Sequence, residues 1–417
     1  MPKNTKICFV FSTNLFHGEL SKDRFARFVK GGHLVRCLNA LSQIPCSISI
    51  EGVDMELYPE LAAFAQNPGK AEVIGGEYAH AFPNWLHTND RKLANLNVGI
   101  GNGSDHPVRF IAEYNTYPQP LAQKIADSAK EMPAVYAVDT NTAIYSDNQS
   151  DGIVPALAQR FVELNGVHAI KNGGVLYLRT YSKYMTPIIN EGWFGFQRWR
   201  EGNAEAKKTP HNIVASIENQ LKIAEADGVP VIFITIDVES CVIGSHHGAA
   251  IYEEAVSALV QSGLPLIGPR EAYEVLKAVA IETERPHRVL DRNKWLGHDN
   301  QLTMYNTLQE VVSRLCDIKP YTGRSAELDR KLELIAGGSD GFVVYKYRID
   351  DKIKLSADHG ELLFGGENFD SLMIQNAIMQ YFLKQEPLMP QLQKLAEKSG
   401  SNSLAELFLA WAERMGV

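Results

Sequence analysis

Short apolar runs alternate with amphipathic stretches across the first two-thirds of the chain, and no other feature restricts its fold as much. Ile7–Phe11, Cys46–Ile50, Glu72–Ile74, Arg109–Ile111, Ala134–Val138, Val175–Leu178, Val229–Ile236 and Leu264–Ile267 read as strands. The most hydrophobic is Val229–Ile236, and Arg109–Ile111 is the weakest. Runs without polar alternation suit strands buried on both faces. Arg24–Leu41, Tyr58–Asn67, Pro118–Lys130, His211–Ala226 and Ile251–Ser262 carry helical spacing between them. Strands separated by helices imply a parallel sheet with right-handed crossovers, and this many units favour a barrel.

Three long connections interrupt the pattern: Asn84–His106, Ser146–Lys171 and Met185–Pro210. The last carries Trp193, Phe194, Phe196 and Trp199. Long loops in a compact barrel are more often functional than idle. Aromatic residues there have two readings, stacking on sugar rings or packing the loop itself. Beyond about Arg288 the pattern becomes mainly helical, in Leu302–Cys316, Glu327–Ile335, Phe369–Lys384, Met389–Lys398 and Leu404–Met415. The chain therefore divides into a barrel over residues 1–287 and a mainly helical C-terminal region over residues 288–417.

The net charge is −8 and no basic run occurs, which argues against binding a nucleic-acid backbone. No apolar run reaches the roughly 18 residues of a membrane span, and Ile7–Phe11 is too short for a signal-peptide core. Cys8, Cys37, Cys46, Cys241 and Cys316 are odd in number and form no Cys-x-x-Cys. They read as reduced thiols of a cytoplasmic protein.

In a parallel barrel, chemistry collects at the C-terminal ends of the strands. Glu77 follows Glu72–Ile74, Glu113 follows Arg109–Ile111, and Asp237 and Glu239 follow the strongest strand. A lone acid in such a place often caps a helix or sits at the surface. Asp237 abuts a long apolar run, where an ionised group needs a partner or a function. Two carboxylates from separate strands over one pocket are what glycoside hydrolysis requires.

A series of segments occurs in order along the chain: Ser49–Leu57 with Pro59-Glu60, Glu72–Glu77, Phe110-Ile111-Ala112-Glu113 with Pro118 and Leu121, and Tyr136–Asp139. Leu178-Arg179 with Pro187-Ile188, Asp237-Val238-Glu239, Pro269-Arg270-Glu271, Lys294–Gly297 and Gly338-Ser339-Asp340 follow. In this order they resemble the segments of glycoside hydrolase family 57, which acts on α-glucans and α-galactosides. The resemblance implies a (β/α)7 barrel, a distorted TIM-like barrel, with a mainly helical C-terminal region. It implies a retaining α-glycosidase or α-glycan transglycosylase, with Glu113 as nucleophile and Asp237 as acid/base. Glu77, Asp139, Arg179, Glu239, Glu271 and Asp340 would orient hydroxyls or tune the pair. Trp193, Trp199 and Trp295 are candidate stacking platforms. The partner would be an oligosaccharide or polysaccharide.

The chain departs from that family after the first strand, where Ser12-Thr13-Asn14-Leu15-Phe16-His17 stands in place of His-Gln-Pro. Asn14 and His17 are candidates for bonding a sugar hydroxyl, as are His80 and His246. Related deacetylase barrels hold a metal with an Asp pair after strand one and a His-x(3–5)-His helix face. Neither is present: His246 and His247 are adjacent and point apart. No metal or cofactor is expected. A metal-dependent carbohydrate deacetylase and a non-catalytic glycan-binding protein are the two rival readings.

Overall fold

The protein is described by a computed structural model over residues 5–13, 15, 28–76, 105–109, 126, 129–139, 166–193, 213–239, 249–283, 390 and 393. The strands are β1 (Lys6–Ser12), β2 (Ser47–Ser49), β3 (Glu72–Ile74), β4 (Val108–Arg109) and β5 (Ala134–Asp139). They continue as β6 (Ala169–Asn172), β7 (Val175–Tyr181), β8 (Val231–Asp237) and β9 (Ile281–Glu282). The helices are α1 (His33–Leu41), α2 (Gly52–Leu57), α3 (Pro59–Gln66), α4 (Ser182–Pro187), α5 (Ile213–Ala226), α6 (Ala249–Ser262) and α7 (Pro269–Ala278). The expected helix Pro118–Lys130 and the expected region 288–417 lie almost wholly outside the described residues.

Two sheets form, in the orders β3-β2-β1-β8 and β4-β5-β7-β6-β9. A parallel bridge between Gly75 and Arg109 links β3 to β4, and β7 lies beside β8. Leaving out β6 and β9, the remaining strands are parallel and follow one another round a ring, β1-β2-β3-β4-β5-β7-β8. Among the described residues no ladder closes the ring between β7 and β8. β1 and β8 pair along their full length, from Lys6↔Val231 to Ser12↔Asp237.

Side chains alternate across this ring. Cys8, Val10, Ile74, Val108, Ala134, Tyr136, Leu176, Leu178, Val231 and Phe233 form one buried cluster, the barrel interior. Ile7, Phe9, Phe11, Ile48, Ile232, Ile234 and Ile236 belong to another, between the strands and the outer helices. Ala272, Tyr273 and Leu276 of α7 join the interior cluster from the N-terminal end of the strands. Tyr273 donates its hydroxyl to the Met132 carbonyl just before β5 at 3.0 Å, so α7 plugs that end.

Several elements differ from the sequence reading. The helix expected from Arg24 to Leu41 is interrupted at Gly31-Gly32, and Gly32 at φ 76° becomes the cap of α1. The helix expected at Tyr58–Asn67 forms as α3, whereas the short α2 before it was not foreseen; between them Tyr58 precedes Pro59 and is held extended at φ −116°, ψ 97°. The closing strand Leu264–Ile267 reduces to a single bridge, Ile7 to Leu266. β6 was not foreseen. It turns into β7 antiparallel through Asn172-Gly173-Gly174, with both glycines at positive φ, the sequence signal of a tight hairpin.

Trp193 is 1% exposed. Its ring packs against Phe9 at 6.3 Å, Phe11 at 5.9 Å and edge-on to Tyr252 at 4.9 Å. The expectation of a sugar-stacking platform at Trp193 is thereby overturned, since its faces are taken by core rings. We expect Trp193→Ala to lower unfolding free energy by about 3–5 kcal/mol, the usual loss for a buried aromatic. Urea denaturation followed by circular dichroism measures it, with the midpoint moving and the slope unchanged.

Candidate active site

The C-terminal ends of β1, β2 and β8 lie side by side and carry a group of polar residues. Asp237 closes β8 on the same face as Val231 and Phe233, so it continues the barrel interior upward into the mouth. It is the exposed residue of that strand. The Ser12 hydroxyl donates to Asp237 Oδ1 at 2.7 Å from the neighbouring strand. The Val238 N–H donates to the Ser12 carbonyl at 2.8 Å. The Tyr252 hydroxyl of α6 donates to the Asp237 carbonyl at 3.2 Å.

Two residues on, Glu239 is 3% exposed, and its Oε2 has no hydrogen-bond partner among the described residues. Burial pushes its carboxyl well above the ordinary range, and the carboxylate of Asp237 adds to the effect. A backbone hydrogen bond partly opposes them, while Asp54 and Glu51 push further in the same direction. Asp54 in α2 is 0% exposed and accepts the Leu15 N–H at 2.7 Å. Glu51, just before α2, is buried, and its N–H donates to Thr13 Oγ1 at 3.3 Å. Thr13 is itself fixed by donating its N–H to the Ser49 carbonyl at 2.9 Å. Four carboxyls thus gather beside one strand end.

Sequence reasoning singled out Asp237 and Glu239 here but gave no role to Ser12, Glu51 or Asp54. The signal for the last two was present: acids directly after an apolar strand, interleaved with Gly52 and Val53. Ser12 carried no signal, because its importance comes from register with a strand 225 residues away.

Other expected site residues are dispersed. Arg179 lies on the face of β7 opposite Leu178, away from the interior. Its guanidinium sits 4.5 Å over the Tyr181 ring and donates to the Val167 carbonyl at 3.2 Å. That arrangement fastens the β6–β7 hairpin and removes Arg179 from the expected sugar-binding set. Glu271 is exposed in the first turn of α7, at the plugged end and not at the mouth with Asp237. It too leaves the set. Asp139 ends β5, its Cα paired in register with Tyr181. Glu113, Asn14, His17, Glu77, His80, Trp199, His246, Trp295 and Asp340 lie outside the described residues. Among the described residues no group of three His, Cys, Asp or Glu is arranged to hold a metal, and no helix is long and apolar enough to cross a membrane.

By sequence the chain matches no protein-family model and no curated protein. By structure it is similar to a GH57-type branching enzyme from the hyperthermophilic archaeon Pyrococcus horikoshii, with TM-score 0.53 and 13% identity over 95% of each chain. It is similar as well to a GH57 branching enzyme from Thermococcus kodakaraensis, solved in complex with glucose. There the TM-score is 0.53 and the identity 10%, over 99% of this chain and 94% of that one. At such identities the likeness is one of fold: this is a GH57-like (β/α)7 barrel.

Folding raises the proton affinity of Glu239, so from the unfolded carboxylate range (about 4.3) upward the folded chain holds the extra proton. Stability then falls as pH climbs towards the raised value. Glu239→Gln removes that dependence. Thermal melts from pH 5 to 8 should show the difference in Tm moving steadily in favour of the variant. A constant difference would contradict the assignment.

Proposed function

We propose that this chain is a retaining α-glycosidase or α-glycan transglycosylase acting on an oligosaccharide or polysaccharide. One observation carries the reading: in a GH57-like barrel, the acid that ends β8 is exposed at the mouth and held by a hydroxyl from β1. Two proteins that share this fold are branching enzymes by name, and one of them was solved in complex with glucose.

Glu113 attacks the anomeric carbon. Asp237 protonates the leaving oxygen and then, as a carboxylate, activates water or an acceptor sugar. A retaining pair works across about 5–5.5 Å. Water as acceptor gives hydrolysis; a sugar hydroxyl gives transfer. The departure after the first strand favours one second reading, a glycan-binding protein without turnover. Two candidate hydroxyl-bonding residues, Asn14 and His17, would serve either.

The test begins with a screen of α-glucosides and α-galactosides. Glu113→Gln should abolish turnover, and Asp237→Asn should lower it by about 10²–10⁴-fold, the range for general acid/base catalysis. A 5-fluoro-glycosyl fluoride should leave a glycosyl group on Glu113, located by peptide mass spectrometry. Full activity of Glu113→Gln would overturn the mechanism. Sugar binding with neither turnover nor adduct would favour the glycan-binding reading.

A further inference from the structure

We propose that Ser12 is a positioning residue for Asp237, fixing which carboxyl oxygen carries the proton. This rests on the reading of Asp237 as acid/base. Three observations support it. Ser12 and Asp237 are register partners at the last rung of the β1–β8 ladder. The Ser12 hydroxyl donates to Oδ1 at 2.7 Å, from a side chain that is buried while Asp237 is exposed. Both backbones are pinned, that of Ser12 by the Val238 N–H and that of Asp237 by the Tyr252 hydroxyl.

A hydroxyl has one hydrogen to donate. Because Ser12 gives it to Oδ1, that oxygen acts as acceptor and the acid proton resides on Oδ2. A carboxyl free to rotate would present either oxygen, and a misplaced proton donor loses catalytic power steeply. In the first step the proton leaves Oδ2 for the glycosidic oxygen. The bond from C1 to that oxygen breaks as the bond from Glu113 to C1 forms. The Ser12 proton stays on Ser12 throughout. Glu239 lies buried behind the site.

A merely structural serine and a positioning serine differ in leaving-group dependence. The experiment compares Ser12→Ala, Ser12→Thr and Asp237→Asn on the α-glycoside that the wild type turns over and on the α-glycosyl fluoride of the same sugar. Fluoride departs with little need of a proton. Ser12→Ala should lose about 10–100-fold in kcat/KM on the glycoside, part of what a general acid supplies, and several-fold at most on the fluoride. Ser12→Thr, which keeps the hydroxyl, should restore most of the loss. Asp237→Asn should show the same split, more deeply. If Asp237→Asn splits and Ser12→Ala loses equally on both substrates, or on neither, the positioning role is wrong. If Asp237→Asn shows no split, or the wild type turns over neither substrate, the acid/base reading itself fails and Ser12 falls with it.

Discussion

The β1–β8 ladder is the constraint on which the rest of the molecule depends. Among the described residues it is the longest parallel pairing, seven rungs from Lys6↔Val231 to Ser12↔Asp237. Its register is set by two apolar clusters. Cys8, Val10, Val231 and Phe233 face the interior, while Ile7, Phe9, Phe11, Ile232, Ile234 and Ile236 face the helices. A slip of one residue would send each set to the other side. The same slip would part Ser12 from Asp237. Packing thus determines the hydrogen bond at the mouth, although neither residue of that bond belongs to either cluster.

The barrel changes character along its axis. The lower interior is apolar and closed by α7. Within it Ser47 Oγ and the Tyr136 hydroxyl make a polar bridge across strands at 2.7 Å, with Tyr136 edge-on to Phe233 at 4.9 Å. The upper end holds Ser12, Asp237, Glu239, Glu51 and Asp54. Burying acids there is costly unless they are bonded or protonated. Asp54 is served by the Leu15 N–H, whereas the Oε2 of Glu239 has no partner among the described residues. A fold selected for stability alone would have little reason to gather these acids at one strand end. A site that must hold a proton beside a reactive centre does have one.

Most of the barrel was legible in the sequence because its strands are apolar on both faces. β1, β5, β7 and β8 stand out as runs, and α5 and α6 by their periodicity. What escaped depended on local backbone chemistry or on contacts distant in sequence. β6 is short and polar in part, and only its Asn172-Gly173-Gly174 turn betrays it. Gly31-Gly32 broke a helix that a hydrophobic pattern alone reads as continuous, and the short α2 escaped that pattern altogether. At the site, Asp237 and Glu239 were visible as acids ending a hydrophobic strand. Trp193, Arg179 and Glu271 were misassigned because residue type does not reveal which side of a strand or which end of a barrel a side chain occupies. Asp54 and Glu51 become meaningful only once β2 is placed beside β1.

The outer aromatic box joins these threads. Phe9 and Phe11 stack at 5.8 Å on the outward face of β1, and Trp193 and Tyr252 close over them. Trp193 ends a π-helical stretch (Ile188–Trp193) that packs on α5, while Tyr252 belongs to α6. The box therefore ties two crossover connections to the central strand. Tyr252 does more than pack. Its ring lies against Phe11 at 5.9 Å and its hydroxyl reaches the Asp237 carbonyl. One side chain thus couples the burial that holds α6 on the sheet to the backbone position of the acid. Ser12 then fixes the carboxyl from the other side of the same strand pair. The mouth of the barrel is ordered from beneath and behind by contacts that no substrate has to make, which is the condition for a preorganised acid.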